Sequence, residues 1–150
     1  MTTVLGLRLV DGAVAVTVDG RPLVDDVRAV ERRVADRQDL SLAGAYADLG
    51  VDDLPDRDAT AHFATDGEHR TMLGCECGFA DCWPLLVRVS VGPEHVRWSD
   101  VRQGHRDRDY GGFGYTFATG PYLATVASLD RHPAAARRAR FDARATPLVA

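Results

Sequence analysis

Residues 4–10, VLGLRLV, and 13–18, AVAVTV, are two β-like runs separated only by Asp11-Gly12. A two-residue connection between twisted strands needs positive φ at both positions, which Asp-Gly tolerates. The start of the chain is therefore expected to be an antiparallel hairpin, and the rest must fold against its apolar face.

The period then changes. Leu23, Val24, Val27, Val30 and Val34 follow helical spacing in PLVDDVRAVERRVAD at 22–36, and Pro22 suits a first turn. A second short helix is expected over 41–50, SLAGAYADLG, with Ser41 as its N-cap and Gly50 as its stop. Residues 51–70 are polar without a clear period, which predicts a long, mobile surface segment. The second half is β-rich. PLLVRVSV at 84–91 and HVRWSDV at 95–101 flank Gly-Pro-Glu as a hairpin, FGYTFA at 113–118 is the last strand, and 120–132 forms a closing helix. The expected class is α+β: an N-terminal β-hairpin and a C-terminal antiparallel meander, with helices on one face. At 150 residues this is a single domain over 1–150, with 131–150 as a less ordered tail.

All three cysteines fall in one short stretch, GCECGFADCWP at 74–84. Alternation along an extended segment puts Cys75 and Cys77 on one side. Gly78 allows the positive φ that would curl the chain back and bring Cys82 to them. Three thiolates suit zinc, which takes four ligands. His105, past the second strand of the hairpin that leaves Cys82, is the expected fourth ligand, and His69 is the competing one. Two other readings stand beside the metal. The thiols are inert buried groups, or they carry redox or nucleophilic chemistry, including a Cys77–Cys82 disulfide on oxidation. Glu76 and Asp81 oppose the reactive case, because neighbouring carboxylates raise a thiol pKa.

Composition removes several chemistries. The chain has no lysine, asparagine or isoleucine. Without lysine there is no Schiff base and no P-loop lysine; without asparagine there is no Cys-His-Asn triad. The codons of those three residues are A/T-rich, so a G+C-rich bacterial genome is the economical source. Net charge is −4, which argues against a nucleic-acid surface, and the basic stretch at 131–147 reads as a solvated helix face or tail. No apolar run is long enough to span a membrane and no signal peptide is visible, so the expected location is the cytoplasm. Asp100 and residues 105–110 read as a hydrated loop of alternating charge, and Gly111–Gly114 as a turn into the last strand. Trp83 and Trp98 are expected in the core or at its rim.

The second half also resembles a family of small, uncharacterised bacterial proteins. The shared pattern is Cys75-Glu-Cys77-Gly78 through Cys82-Trp83-Pro84-Leu85, then Val96-Arg-Trp98, Gln103-Gly104-His105-Arg106, Phe113-Gly114-Tyr115-Thr-Phe117, and Tyr122. It covers roughly residues 72–130. Gly104 stands where the pattern has proline, and Tyr115 departs from its usual Pro-Phe. The resemblance implies that the cysteines and Gln103–Arg106 act as one constellation; it implies no activity.

The expected function is a binding or accessory module with a structural zinc held by Cys75, Cys77, Cys82 and His105. Its partner would be an unknown protein or small molecule, without nucleic acid or membrane. The alternatives are a small enzyme, metal-dependent or based on a thiol or His105, and a metal-free structural protein that oligomerises, for example as a homodimer.

Overall fold

The computed structural model describes residues 3–35, 46–54, 58–78, 80–104 and 110–131. Strands β1 (Leu5–Val10) and β2 (Ala13–Val18) form the expected hairpin, with Val10 paired to Ala13. Asp11 and Gly12 have φ of 50° and 79°, the left-handed values that the tight turn requires. A second Asp-Gly, at 19–20, repeats the device and leads into the two-residue β3 (Arg21–Pro22) beside β2.

Helix α1 (Leu23–Ala35) follows at once. It buries Leu23, Val27 and Val30, and carries Asp25 and Asp26 in its first turn and Arg32 and Arg33 in its last. Both charge placements oppose the helix dipole favourably. Strand β4 (Tyr46–Gly50) then corrects the second expected helix; residues 41–45 lie outside the described ones. Tyr46 and Leu49 are both buried, a spacing that a helix would also satisfy. Here the strand changes partner along its length. Residues 46–48 pair with β5 and residues 49–50 with β2, so tertiary pairing overrides local preference.

The polar segment 51–70 is likewise not one surface loop. It holds a 3-10 turn (Val51–Asp53), helix α2 (Ala59–Phe63) and the start of β5 (Gly67–Cys75). Val51, Leu54, Ala59, His62 and Phe63 are buried. Asp58 caps α2 by accepting from the Thr60 and Ala61 amides. Asp130 reaches the same helix start, accepting from the Ala59 amide and from the amide and hydroxyl of Thr60.

After a 3-10 turn (Ala80–Cys82) come β6 (Leu85–Val91), β7 (His95–Gln103), β8 (Tyr115–Ala118) and α3 (Thr119–Asp130). All pairings between strands are antiparallel, in the order β1-β2-β4-β5-β6-β7-β8, with β3 beside β2. Among the described residues, the antiparallel sheet with three α-helices fits the α+β class. A parallel bridge between Thr3 and Phe117 brings the entry to β1 onto β8, so the sheet curls until its two ends meet. Val14, Val16 and Val18 of β2, and Leu85, Val87 and Val89 of β6, point into one core shared with Tyr122, Val126 and Leu129 of α3. The tail at 132–150, with its basic stretch, lies outside the described residues.

His62 is buried in this core's margin. Its Nε2 donates to the Thr71 carbonyl at 2.6 Å, which leaves Nδ1 as a buried acceptor without a partner among the described residues. Burial pushes the imidazole below its ordinary pKa; the Thr71 bond opposes this and nearby Arg70 reinforces it. The unfolded chain therefore takes up a proton near pH 6.5 that the folded chain resists. Stability is expected to fall as pH drops through that value and to level off below the folded pKa. Urea midpoints of the wild type and His62→Gln at pH 7.5 and 5.5 check this: the variant should lose much of the difference, and an equal difference in both would assign it elsewhere.

Candidate metal centre

Cys75 ends β5, opposite Tyr46 of β4. The chain then turns sharply. The Gly78 amide donates to the Cys75 carbonyl at 3.0 Å, and Gly78 has φ of 96°, a value that a side chain would strain. Inside this turn the Cys77 amide lies 3.5 Å from the Cys75 sulfur. The Ala80–Cys82 turn folds back over β5 at Gly74. A Cβ at Gly74 would sit 3.2 Å from the Ala80 Cα, so the missing side chain lets the turn lie close. The result is that the sulfurs of Cys75, Cys77 and Cys82 all lie within 4.8 Å of one another. With Zn–S bonds of about 2.3 Å, three sulfurs so placed can converge on one ion. Cys75 is half-buried, while Cys77 and Cys82 are exposed. Arg28 of α1 reaches the turn from outside, 3.8 Å from the Glu76 carboxylate.

Crowding shapes the chemistry of the trio. Hydrogen bonds that the Cys82 thiol donates to Cys77 and Cys75, together with the charge of those two sulfurs, push Cys82 up to about 11. Three neighbouring sulfurs therefore resist ionising together. A divalent cation reverses that balance, because it binds thiolates and releases their protons.

The described residues stop one short of the fourth expected ligand. The Gly104 amide donates to the Pro84 carbonyl at 2.9 Å, and Leu85 pairs with Gln103, so the end of β7 is fastened two residues past Cys82. His105 comes next in sequence and lies outside the described residues. His69 is not the alternative. It sits six residues before Cys75 on β5, about 20 Å along a strand, and its Nε2 is 2.7 Å from Asp100 Oδ2. Among the described residues, the three cysteines are the group of donors placed to hold a metal.

Two constellations escaped the sequence. The first is at paired irregularities flanking β6. His69 and Asp100 have φ of 29° and 50°, and both lie where the strand register shifts. Such bulges redirect side chains. Asp100 receives Arg102 Nη2 on both oxygens, at 2.8 and 2.7 Å, and the Arg88 guanidinium approaches to 3.9 Å. The Arg102 bond first, then His69, holds the Asp100 carboxyl down near 2. The second is Glu31, buried on α1, whose Oε2 accepts from the Tyr46 hydroxyl at 2.8 Å and the Tyr110 hydroxyl at 2.5 Å. Its position four residues after Val27, on the apolar side of the helix, was the available signal.

Comparisons with protein-family models, with curated proteins and with solved structures find no match for this chain.

Proposed function

We propose that this protein is a bacterial, cytoplasmic binding or accessory module stiffened by one zinc ion, with Cys75, Cys77, Cys82 and His105 as ligands. The observation that carries the reading is the convergence of the three sulfurs within 4.8 Å. Three soft thiolates favour zinc over harder cations. A fourth protein ligand closes the coordination and leaves no position for a substrate water, which is the mark of a structural site. Placement supports the same view. Among the described residues, the two grooves lined by Arg88–Arg97 and by Arg97–Thr116 hold no cysteine in their walls. The resemblance to a family of small bacterial proteins would join the cysteines to Gln103–Arg106 as one unit.

The exposure of Cys77 and Cys82 favours a second reading, in which the fourth position is open and the ion is a catalyst. Elemental analysis of protein purified without a histidine tag, followed by X-ray absorption at the zinc edge, separates the two. The proposal expects one zinc per chain with three sulfur and one nitrogen neighbours, and conversion of that nitrogen to oxygen in His105→Ala. Three sulfurs and an oxygen in the wild type would move the enzyme ahead. No metal at all would leave the metal-free structural protein or the thiol enzyme.

A further inference from the structure

Between Arg88–Ser99 and Val91–Val96 the β6–β7 register is regular. Val89, Val96 and Trp98 go to the core, so Arg88, Ser90, Arg97 and Ser99 share the outer face, and all four are exposed. Arg88 stands opposite Ser99, and Ser90 opposite Arg97. The two guanidiniums thus occupy one diagonal of a square and the two hydroxyls the other. Diagonal neighbours in an antiparallel pair are about 7–8 Å apart, within reach of long side chains. Both forks can therefore meet over the centre.

The charge of this square is not cancelled. Arg97 has no ion-pair partner among the described residues, and Arg88 approaches only Asp100, at 3.9 Å. Asp100 is already engaged by Arg102 and His69. Arg88, Ser90 and Arg97 line one groove together with Asp66 and His95, and Arg97 and Ser99 continue into a second that ends at Asp100. The Asp66 carboxylate, which accepts from the Val91 amide, closes the first end.

We propose that the Arg88–Ser90–Arg97–Ser99 square binds a phosphate dianion, free or as the monoester of a small molecule. A tetrahedral oxyanion accepts from two planar forks and two hydroxyls at once, and arginine is the side chain suited to such bidentate contacts. The carboxylates at both ends limit the site to one phosphate. A polymer laid along the groove would bring its neighbouring phosphates against Asp66 and Asp100. This site is independent of the cysteines.

The test is an amide-shift titration of the whole chain with orthophosphate and with phenyl phosphate. Saturable shifts centred on residues 88–99 are expected. Arg97→Ala and Arg88→Ala should each weaken binding by about tenfold or more, the usual loss of a charge-assisted contact. Ser90→Ala and Ser99→Ala should weaken it less, and a chelator should leave it unchanged. Both arginines are exposed, so circular dichroism should find these variants folded. Binding of orthophosphate alone would identify the free anion; binding of both would admit the ester. No saturable shift with either probe at tens of millimolar, or affinity unchanged in both arginine variants, would overturn the proposal. So would a short single-stranded oligonucleotide that binds the same residues more tightly than either probe.

Discussion

Replacing Cys77 with serine is expected to release the metal and lower the thermal midpoint by several degrees. A serine hydroxyl stays protonated at neutral pH and is a poor zinc ligand, so the ion would keep two thiolates and lose the third. The fold then loses a clip between the end of β5 and the turn that enters β6. The binding free energy of a structural metal is folding free energy. A loss of roughly one to a few kcal/mol corresponds to several degrees in a domain of this size. His105→Ala should cost less, because water can fill a fourth position while three thiolates remain. Trp83, next in sequence to Cys82 and packed against the core, should report the release through its fluorescence. Calorimetry of wild type with and without a chelator is the decisive control. Chelated wild type should match Cys77→Ser, and a midpoint indifferent to the chelator would sink the idea. Metal affinity should also fall on acidification, since protons compete for sulfurs that already resist ionising together.

Trp98→Ala should be still more damaging, by roughly 3–5 kcal/mol. The indole is 1% exposed and meets Phe117 edge-on with ring centres 5.1 Å apart. Its Nε1 donates to the Tyr122 hydroxyl at 2.9 Å, and that hydroxyl donates in turn to the Phe63 carbonyl. One relay thus joins β7, α3 and α2. Truncation leaves a cavity and also removes a hydrogen bond from a buried hydroxyl. Trp98→Phe and Tyr122→Phe divide the two effects. Each breaks the Nε1–hydroxyl bond and should cost about 1–3 kcal/mol. The double variant should fall short of their sum, because the Nε1–hydroxyl bond can be lost only once, while the bond to the Phe63 carbonyl goes with Tyr122→Phe alone. Additive urea midpoints would mean that the relay contributes nothing beyond packing.

How much of this was legible depended on how local the cause was. The Asp11-Gly12 turn was, because its φ values are a property of two residues. So was the meeting of the cysteines, since Gly78 supplies the expected positive φ within eight residues, although β5 ends at Cys75 and the turn, not strand alternation, brings Cys77 to its neighbours. Strand β4 was not. Tyr46 and Leu49 suit a helix face equally well, and only the vacancy between β2 and β5 decides for a strand. The bulges at His69 and Asp100 were hidden for a different reason. Neither position is glycine, and each departure from alternation becomes visible only when a neighbouring strand fixes the register. Beyond Asp100 the buried set shifts from Val96 and Trp98 to Val101 and Gln103, which lengthens β7 past its expected end. Glu31 was overlooked because its partners, Tyr46 and Tyr110, lie on segments distant in sequence.

The bridge between Thr3 and Phe117 sets an order on synthesis. A ribosome makes the β1–β2 hairpin first, yet the segment entering β1, at Thr3, meets Phe117 only when β8 has emerged, more than a hundred residues later. Until then the nascent chain carries an unpaired strand edge beside Leu5 and Leu9, the kind of surface that invites pairing with another chain. Vectorial folding from the N-terminus therefore cannot complete this sheet. Its last cooperative step belongs to the C-terminal strand, and truncations that end before Tyr115 should accumulate as aggregates, not as a smaller folded core.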